Sequence, residues 1–213
     1  MSPIQQTILA AGTRVLLLRH GETAQPDVFH GAESDVGLSE RGRRQAAAIA
    51  PVLAAERPAA VVSSALRRAR ETAEPIAAAC GVRLQIEPRL HERRVGSLSG
   101  TPASSSNDAW RDVLDRWKAG DVGYASPGAE SFRDIQERLL PVWDDLTRRF
   151  SGQTSVIVAH GVLIRVLFIS LFAQFQPFAW HSIGITNVAI NELRWDGTEW
   201  LAVRQNAVLV DSD

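Results

Sequence analysis

Short unbroken apolar runs alternate with stretches of helical periodicity along most of the chain. Val15 to Leu18 is apolar without alternation and bounded by Gly12 and Gly21, the pattern of a strand covered on both faces. Leu38 to Leu53 then sets Leu38, Ile49, Val52 and Leu53 on one helical face, Ala59 to Val62 reads as a second buried strand, and Arg68 to Cys80 as a second helix. Ser39 stands where an N-cap is wanted and Gly81 where a left-handed terminator is wanted. Pro75 falls inside the second helix and predicts a kink or a division into two turns. Val82 to Ile86 and Thr154 to Ala159 are further strand candidates, the latter leading into a helix from Val162. A long helix from Glu130 to Phe150, bending at Pro141, precedes strand-like runs at Asn187 to Trp195 and Trp200 to Arg204, joined by the turn Asp196-Gly197-Thr198. This β-α-β-α order predicts an α/β protein, a three-layer α/β/α sandwich around a mainly parallel sheet.

Between about Val95 and Glu130 the character changes to Gly, Ser and Pro, which reads as a small lid inserted into a single domain spanning residues 1–213. Inside it, Trp110, Val113, Leu114 and Trp117 recur as on one face of an amphipathic helix capped near Asn107. That stripe reads as packing rather than ligand recognition.

Composition narrows the partners. A formal net charge of −1, from 23 basic and 24 acidic residues, supplies no global attraction to nucleic acid or an anionic membrane. Anion binding therefore has to come from a local cluster. The single cysteine, Cys80, excludes an intrachain disulfide and a cysteine-rich metal site, and fits a reducing, cytoplasmic setting. The most apolar stretch, Val162 to Phe175, is 14 residues long and carries Arg165, short of the roughly 20 residues that span a bilayer. The N-terminal stretch does not read as a signal peptide. No histidine pair has HExxH spacing and no carboxylates cluster, so neither a metal nor another cofactor is expected.

Three strand candidates end in residues of one chemical type. Leu18 is followed by Arg19-His20, Val62 by Ser63-Ser64 and then Arg67-Arg68, and Ala159 by His160-Gly161. In a parallel sheet such ends converge on one mouth, where helix N-termini add N–H donors and positive dipole ends. Guanidinium forks and imidazoles gathered there predict a phosphate pocket.

These residues resemble the motifs of the histidine phosphatase superfamily, the phosphoglycerate mutase-like fold. Arg19-His20-Gly21-Glu22-Thr23 matches its RHGET signature, and Ser63 to Ala73 resembles the segment that carries the phosphate arginine, in a register that selects Arg68 and leaves Arg67 on the surface. Leu90-His91-Glu92 with Gly96 and Gly100 resembles the acid-bearing segment, Gly128-Ala129-Glu130-Ser131 the GES motif, and Ala159-His160-Gly161 the second-histidine motif. The matches run in family order from about Val15 to Asn206. The resemblance implies metal-free phosphoryl transfer through a phosphohistidine. His20 would attack phosphorus, Arg19, Arg68 and protonated His160 would neutralise the phosphoryl oxygens, and Glu92 would act as acid and then base. It also implies that Gly21 fixes the His20 tautomer, that Thr23 and Gly161 N–H touch phosphate, and that His30 and Gly31 face the substrate, with Glu22, Glu130 and Ser131 as support. Taken by themselves, His30, His91 and His181 read as surface residues. Pro26 departs from the asparagine found in many relatives.

The implied function is hydrolysis of a small phosphorylated metabolite, with a homodimer compatible. A phosphoglycerate mutase is kept as an alternative because Arg93-Arg94, Arg111 or Arg116 could hold a second anion. A non-catalytic phosphate-binding module is the other alternative.

Overall fold

The computed structural model describes residues 12–102, 108–172 and 179–209. Its strands are β1 (Arg14–Arg19), β2 (Ala60–Ser63), β3 (Leu84–Ile86), β4 (Thr154–Ala159), β5 (Ile190–Trp195) and β6 (Trp200–Ala207). They form one sheet in the order β3-β2-β4-β1-β5-β6. β1 to β4 are mutually parallel, and β5 and β6 close one side antiparallel. The helices are α1 (Glu40–Ala55), α2 (Arg67–Cys80), α3 (Asp108–Lys118), α4 (Phe132–Arg149) and α5 (Gly161–Leu171).

Strand periodicity divides the core in two. Leu16 and Leu18 of β1, Val61 of β2 and Val156 and Val158 of β4 join Ile49 and Leu53 of α1 and Ala69, Ala73 and Ile76 of α2. Val15, Leu17, Val62 and Ile157 point the other way, onto α3, α4 and α5. The result is the expected three-layer sandwich.

Several details depart from the sequence pattern. α2 runs without division through Pro75, and α1 through Pro51, so the kink or break expected at Pro75 does not divide the element. Each proline forfeits one helix bond, and the small alanine faces buried against the sheet offset that loss. Leu38 lies outside α1, whose first turn is capped by the Ser39 hydroxyl accepting from Gly42 N–H at 2.9 Å. Ser131 caps α4 through a reciprocal capping box with Asp134. The expected cap at Asn107 and the end of the apolar stretch at Phe175 lie outside the described residues.

The segment expected as a lid contributes to the main core. Val113 and Trp117 of α3 are fully buried, and Trp117 meets Phe132 and Trp180 edge-on at 5.8 and 5.7 Å. Trp110, on the same stripe, is only half-buried.

Far from the strand mouths, Glu192 of β5 is buried and accepts from Nε of Arg14 (2.7 Å), Arg194 (2.7 Å) and Arg204 (2.6 Å). These bonds outweigh burial and hold its carboxyl at about 2, down from 4.5. The native protein thus binds this proton less readily than the unfolded chain. Its contribution is complete above pH 4.5 and is lost as pH falls toward 2. Glu192→Gln should lower the unfolding free energy in urea by about 3 kcal/mol at pH 7 and shrink the loss of stability across that acid window.

Candidate active site

Strand register builds the site. Arg19 of β1 is level with Ala159 of β4, and His20 N–H donates to the Ala159 carbonyl at 3.0 Å. The next residues, His20 and His160, are thereby neighbours, with ring centroids 5.1 Å apart and planes at 57°. Gly21 is required where the loop turns, because a Cβ there would stand 2.7 Å from the Gly42 carbonyl. A Cβ on Gly42 would in turn strike the Glu22 carbonyl, so the loop sits directly against the start of α1. Thr72 of α2 joins the two motifs, accepting from Gly21 N–H at 2.9 Å and donating to the Arg68 carbonyl at 2.7 Å.

The His20 ring is oriented by a contact of 2.7 Å between Nδ1 and the Gly21 carbonyl. A carbonyl only accepts, so Nδ1 carries the proton and Nε2 presents its lone pair. Burial, and then the Arg68 and Arg19 charges, hold the imidazole well below its ordinary pKa of 6.5. His20 is therefore a neutral imidazole of fixed tautomer.

Donors without partners gather around it. Arg68 gives its terminal nitrogens to the carbonyls of Ser34 (2.7 Å), Gly31 (3.1 Å) and His30 (3.2 Å), and Arg19 donates to Ile185 at 3.1 Å. The Nε atoms of both arginines and both ring nitrogens of His160 are buried and have no protein partner. Buried donors of this kind require an acceptor that the chain does not supply. Arg68 is lowered to about 10, chiefly by burial, and remains a cation at neutral pH.

Glu92 lies at the N-terminus of α5. It accepts from Arg93 N–H (2.9 Å), Val162 N–H (3.1 Å) and Leu163 N–H (3.2 Å). Three of about four acceptor positions are used, which leaves one toward the cavity it lines. Its loop is fixed by Arg138, which donates to the His91 carbonyl at 3.0 Å and grips Glu130 through two bonds of 3.0 Å. Glu22 accepts from the Ser39 hydroxyl and Arg41, and Ser131 donates its hydroxyl to Asp134, so Glu22, Glu130 and Ser131 bond neighbouring protein groups and do not border the cavity.

The cavity holds about 470 Å³ and is bordered by Arg19, His20, Thr23, His30, Glu92 and Gly161 among the residues expected from sequence. Pro26 lines it as well. In the ligand-free state burial, followed by the Arg68 charge, holds the His160 pKa well below 6.5, so that ring is neutral. Arg68 and His160 are fully buried and, like Gly31, are not among the residues that border the cavity; the Gly31 carbonyl instead anchors Arg68. His30 borders it with both nitrogens engaged, Nε2 against the Gln25 carbonyl and Nδ1 against the Ser34 hydroxyl, each at 2.8 Å.

Other bordering residues lack a motif. Arg165 of α5 donates to Ile183 at 3.1 Å and lies over Trp180; its one sequence signal was a charge interrupting an apolar helix. Lys118 and His181 meet across the mouth at 3.2 Å, although 63 residues separate them. Among the described residues no cluster of His, Cys, Asp or Glu could hold a metal ion, and no helix is long and apolar enough to cross a membrane.

The fold and site define a histidine-centred phosphoryl-transfer class, in which charge compensation comes from arginines. The chain belongs to the histidine phosphatase superfamily (branch 1), which it matches over residues 15–208. It is 31% identical over 194 residues to a metal-independent phosphoserine phosphatase of Arabidopsis thaliana, covering 88% of this chain and 81% of the relative. A glucosyl-3-phosphoglycerate phosphatase of Mycolicibacterium vanbaalenii is 35% identical over 169 residues, 72% of each chain. The solved structure of a mycobacterial glucosyl-3-phosphoglycerate phosphatase complexed with VO3 superposes with a TM-score of 0.78 at 29% identity, over 92% of this chain and 99% of that one.

Burying two neutral imidazoles has a measurable cost in acid. The unfolded chain takes up these protons near pH 6.5 whereas the native state resists, so their contribution is complete above pH 6.5 and is lost as pH falls below it. The unfolding free energy in urea should drop below pH 6.5 by up to about 1.4 kcal/mol per pH unit for each group. His160→Gln should make the slope shallower, and a flat profile from pH 7.5 to about 5.5 would mean that the native imidazoles take up protons as readily as those of the unfolded chain.

Proposed function

We propose that the protein hydrolyses a small phosphomonoester in two steps at His20. In the first, His20 Nε2 forms a bond to phosphorus while the bond from phosphorus to the ester oxygen breaks, and Glu92 passes a proton to that oxygen. In the second, water attacks phosphorus, Glu92 takes its proton, the phosphorus–nitrogen bond breaks, and inorganic phosphate leaves. Arg19, Arg68 and His160 face the phosphoryl oxygens, with His160 charged once the anion is bound, and Thr23 and Gly161 N–H border the same oxygens.

The observation that carries this reading is the ring of buried donors without partners around a neutral imidazole whose tautomer is fixed. A phosphoryl group satisfies those donors, and in-line attack needs the lone pair that the Gly21 contact leaves free. Val162 and Leu163 N–H are committed to Glu92, so Gly161 is the first-turn donor of α5 that remains for the anion.

Rapid quench into alkaline detergent with radiolabelled substrate should trap an acid-labile, base-stable phosphoenzyme. His20→Ala should lose it and lower kcat by at least about 10³-fold. Undiminished hydrolysis by that variant would sink the mechanism. Glu92→Gln should slow an alkyl phosphate by about 10²- to 10³-fold and 4-nitrophenyl phosphate far less, since only the poor leaving group needs its proton. Equal slowing of both would exclude Glu92 as the acid.

A further inference from the structure

Arg19 and Arg165 depend on the loop that leads into β5. That loop offers the Ile183 carbonyl to Arg165 Nε and the Ile185 carbonyl to a terminal nitrogen of Arg19, each at 3.1 Å. Further along, the Asn187 side-chain amide donates to the His20 carbonyl at 2.8 Å, and Val188 N–H donates to the Arg19 carbonyl at 3.0 Å. The loop therefore sets the backbone of the Arg19-His20 pair and the direction of the Arg19 guanidinium, whose buried Nε has no protein partner.

Val188 holds a φ of 51°, a costly conformation for a β-branched residue that persists only where surrounding contacts impose it. The remaining contacts come from β6. Glu192 lies opposite Arg204 but Ile190 lies opposite Ala207, so β6 carries an extra residue in a bulge there. Asn206 lies in that bulge with a left-handed φ of 49°, which asparagine tolerates better than most residues. Its backbone N–H donates to Asn191 Oδ1 at 2.9 Å, and the buried Asn191 donates in turn to the Leu17 carbonyl of β1 at 3.2 Å. Both ends of the Asn206 side chain then engage Thr186. Oδ1 accepts from Thr186 N–H at 2.6 Å, and Nδ2 donates to Thr186 Oγ1 at 3.1 Å. Gly184 leaves room for this amide, since a Cβ there would stand 2.8 Å from Asn206 Nδ2.

We propose that Asn206 is a positioning residue for phosphoryl binding: its amide latches Thr186 and, through the adjoining Ile185 carbonyl, keeps Arg19 directed at the anion. Thr186 stands between the Ile185 carbonyl and the Asn187 amide, so displacing it displaces the partners of both Arg19 and His20. Asn206 itself is not among the residues that border the cavity and acts only through the loop. The inference rests on the phosphatase reading above and extends that site to the outer edge of the sheet.

The test compares Asn206→Gly, which permits the left-handed backbone but removes the latch, with Asn206→Asp, which still accepts from Thr186 N–H and lets the Thr186 hydroxyl turn to donate. Asn206→Gly should lower kcat/KM for 4-nitrophenyl phosphate by about 10- to 100-fold, the scale of a misplaced binding group, and raise the Kd for inorganic phosphate, measured by calorimetry, by about tenfold. Asn206→Asp should recover both values to within about threefold of the wild type. In an Arg19→Ala background the glycine substitution should change the residual kcat/KM by less than about threefold, because the group it positions is gone. An equal fall in both backgrounds would make Asn206 merely structural and overturn the proposal, as would an aspartate variant no better than glycine or a glycine variant with wild-type phosphate affinity. If Asn206→Gly does not fold, Thr186→Val, which removes the hydroxyl partner and keeps the N–H bond, supplies the same comparison across the two backgrounds. If the wild type hydrolyses 4-nitrophenyl phosphate and the latch variants match it, only this inference fails. If it binds phosphate in a latch-dependent way but hydrolyses no ester, the phosphatase reading fails and the latch stands.

Discussion

Arg19, Arg68 and Arg93 are buried cations that keep donor nitrogens unmatched, and the interior holds them only by surrounding each with backbone carbonyls or aromatic faces. Ser34, Gly31, His30, Ile185 and Glu130 all contribute carbonyls to this solvation. The loops that supply them come from widely separated parts of the chain. Neutral carbonyls and indoles thus carry much of the stabilisation of positive charge at the strand mouth, with Glu92 as the nearby carboxylate. Glu192 provides the contrast: there a carboxylate and three arginines meet fully, and the cluster has no unmet demand for a ligand.

The same concentration of cations sets the state of the histidines. An imidazolium beside Arg19 and Arg68 in a buried site would add like charge to like, so His20 and His160 are both held neutral. For His20 this is the form a nucleophile needs, and the Gly21 carbonyl selects which nitrogen is free. For His160 it means that the ring adds no further positive charge to the buried arginines around it, which limits like-charge repulsion in the ligand-free protein.

The unbroken apolar runs of β1, β2 and β4 read as strands covered on both faces, and both faces are buried; the expected caps at Ser39 and Gly81 are present. Local pattern was less informative where tertiary burial outweighs propensity, as at Pro51 and Pro75. The Trp110 to Trp117 stripe divides its work: Trp117 fills the core and Trp110 borders the cavity, a division that one amphipathic face cannot express. His30 and Gly31 stood at the right place in the chain, but the Gln25 carbonyl and the Ser34 hydroxyl take the two histidine nitrogens, and the Arg68 guanidinium takes the Gly31 carbonyl.

The motif resemblance grouped His20 with Arg19, Arg68, His160 and Glu92 as one set, and residue order alone determined the layered fold and the three strand ends that carry charge. Those features are local: a strand run followed by a motif needs no knowledge of what packs on it. Tertiary structure decided the rest. Register between β1 and β4 brought the histidines side by side, neutralising burial set their charge, and chain segments far apart in sequence met to form the second half of the cavity. Arg93 was legible only as part of a charged run, because its burial with unmatched terminal nitrogens arises from the indoles folded around it.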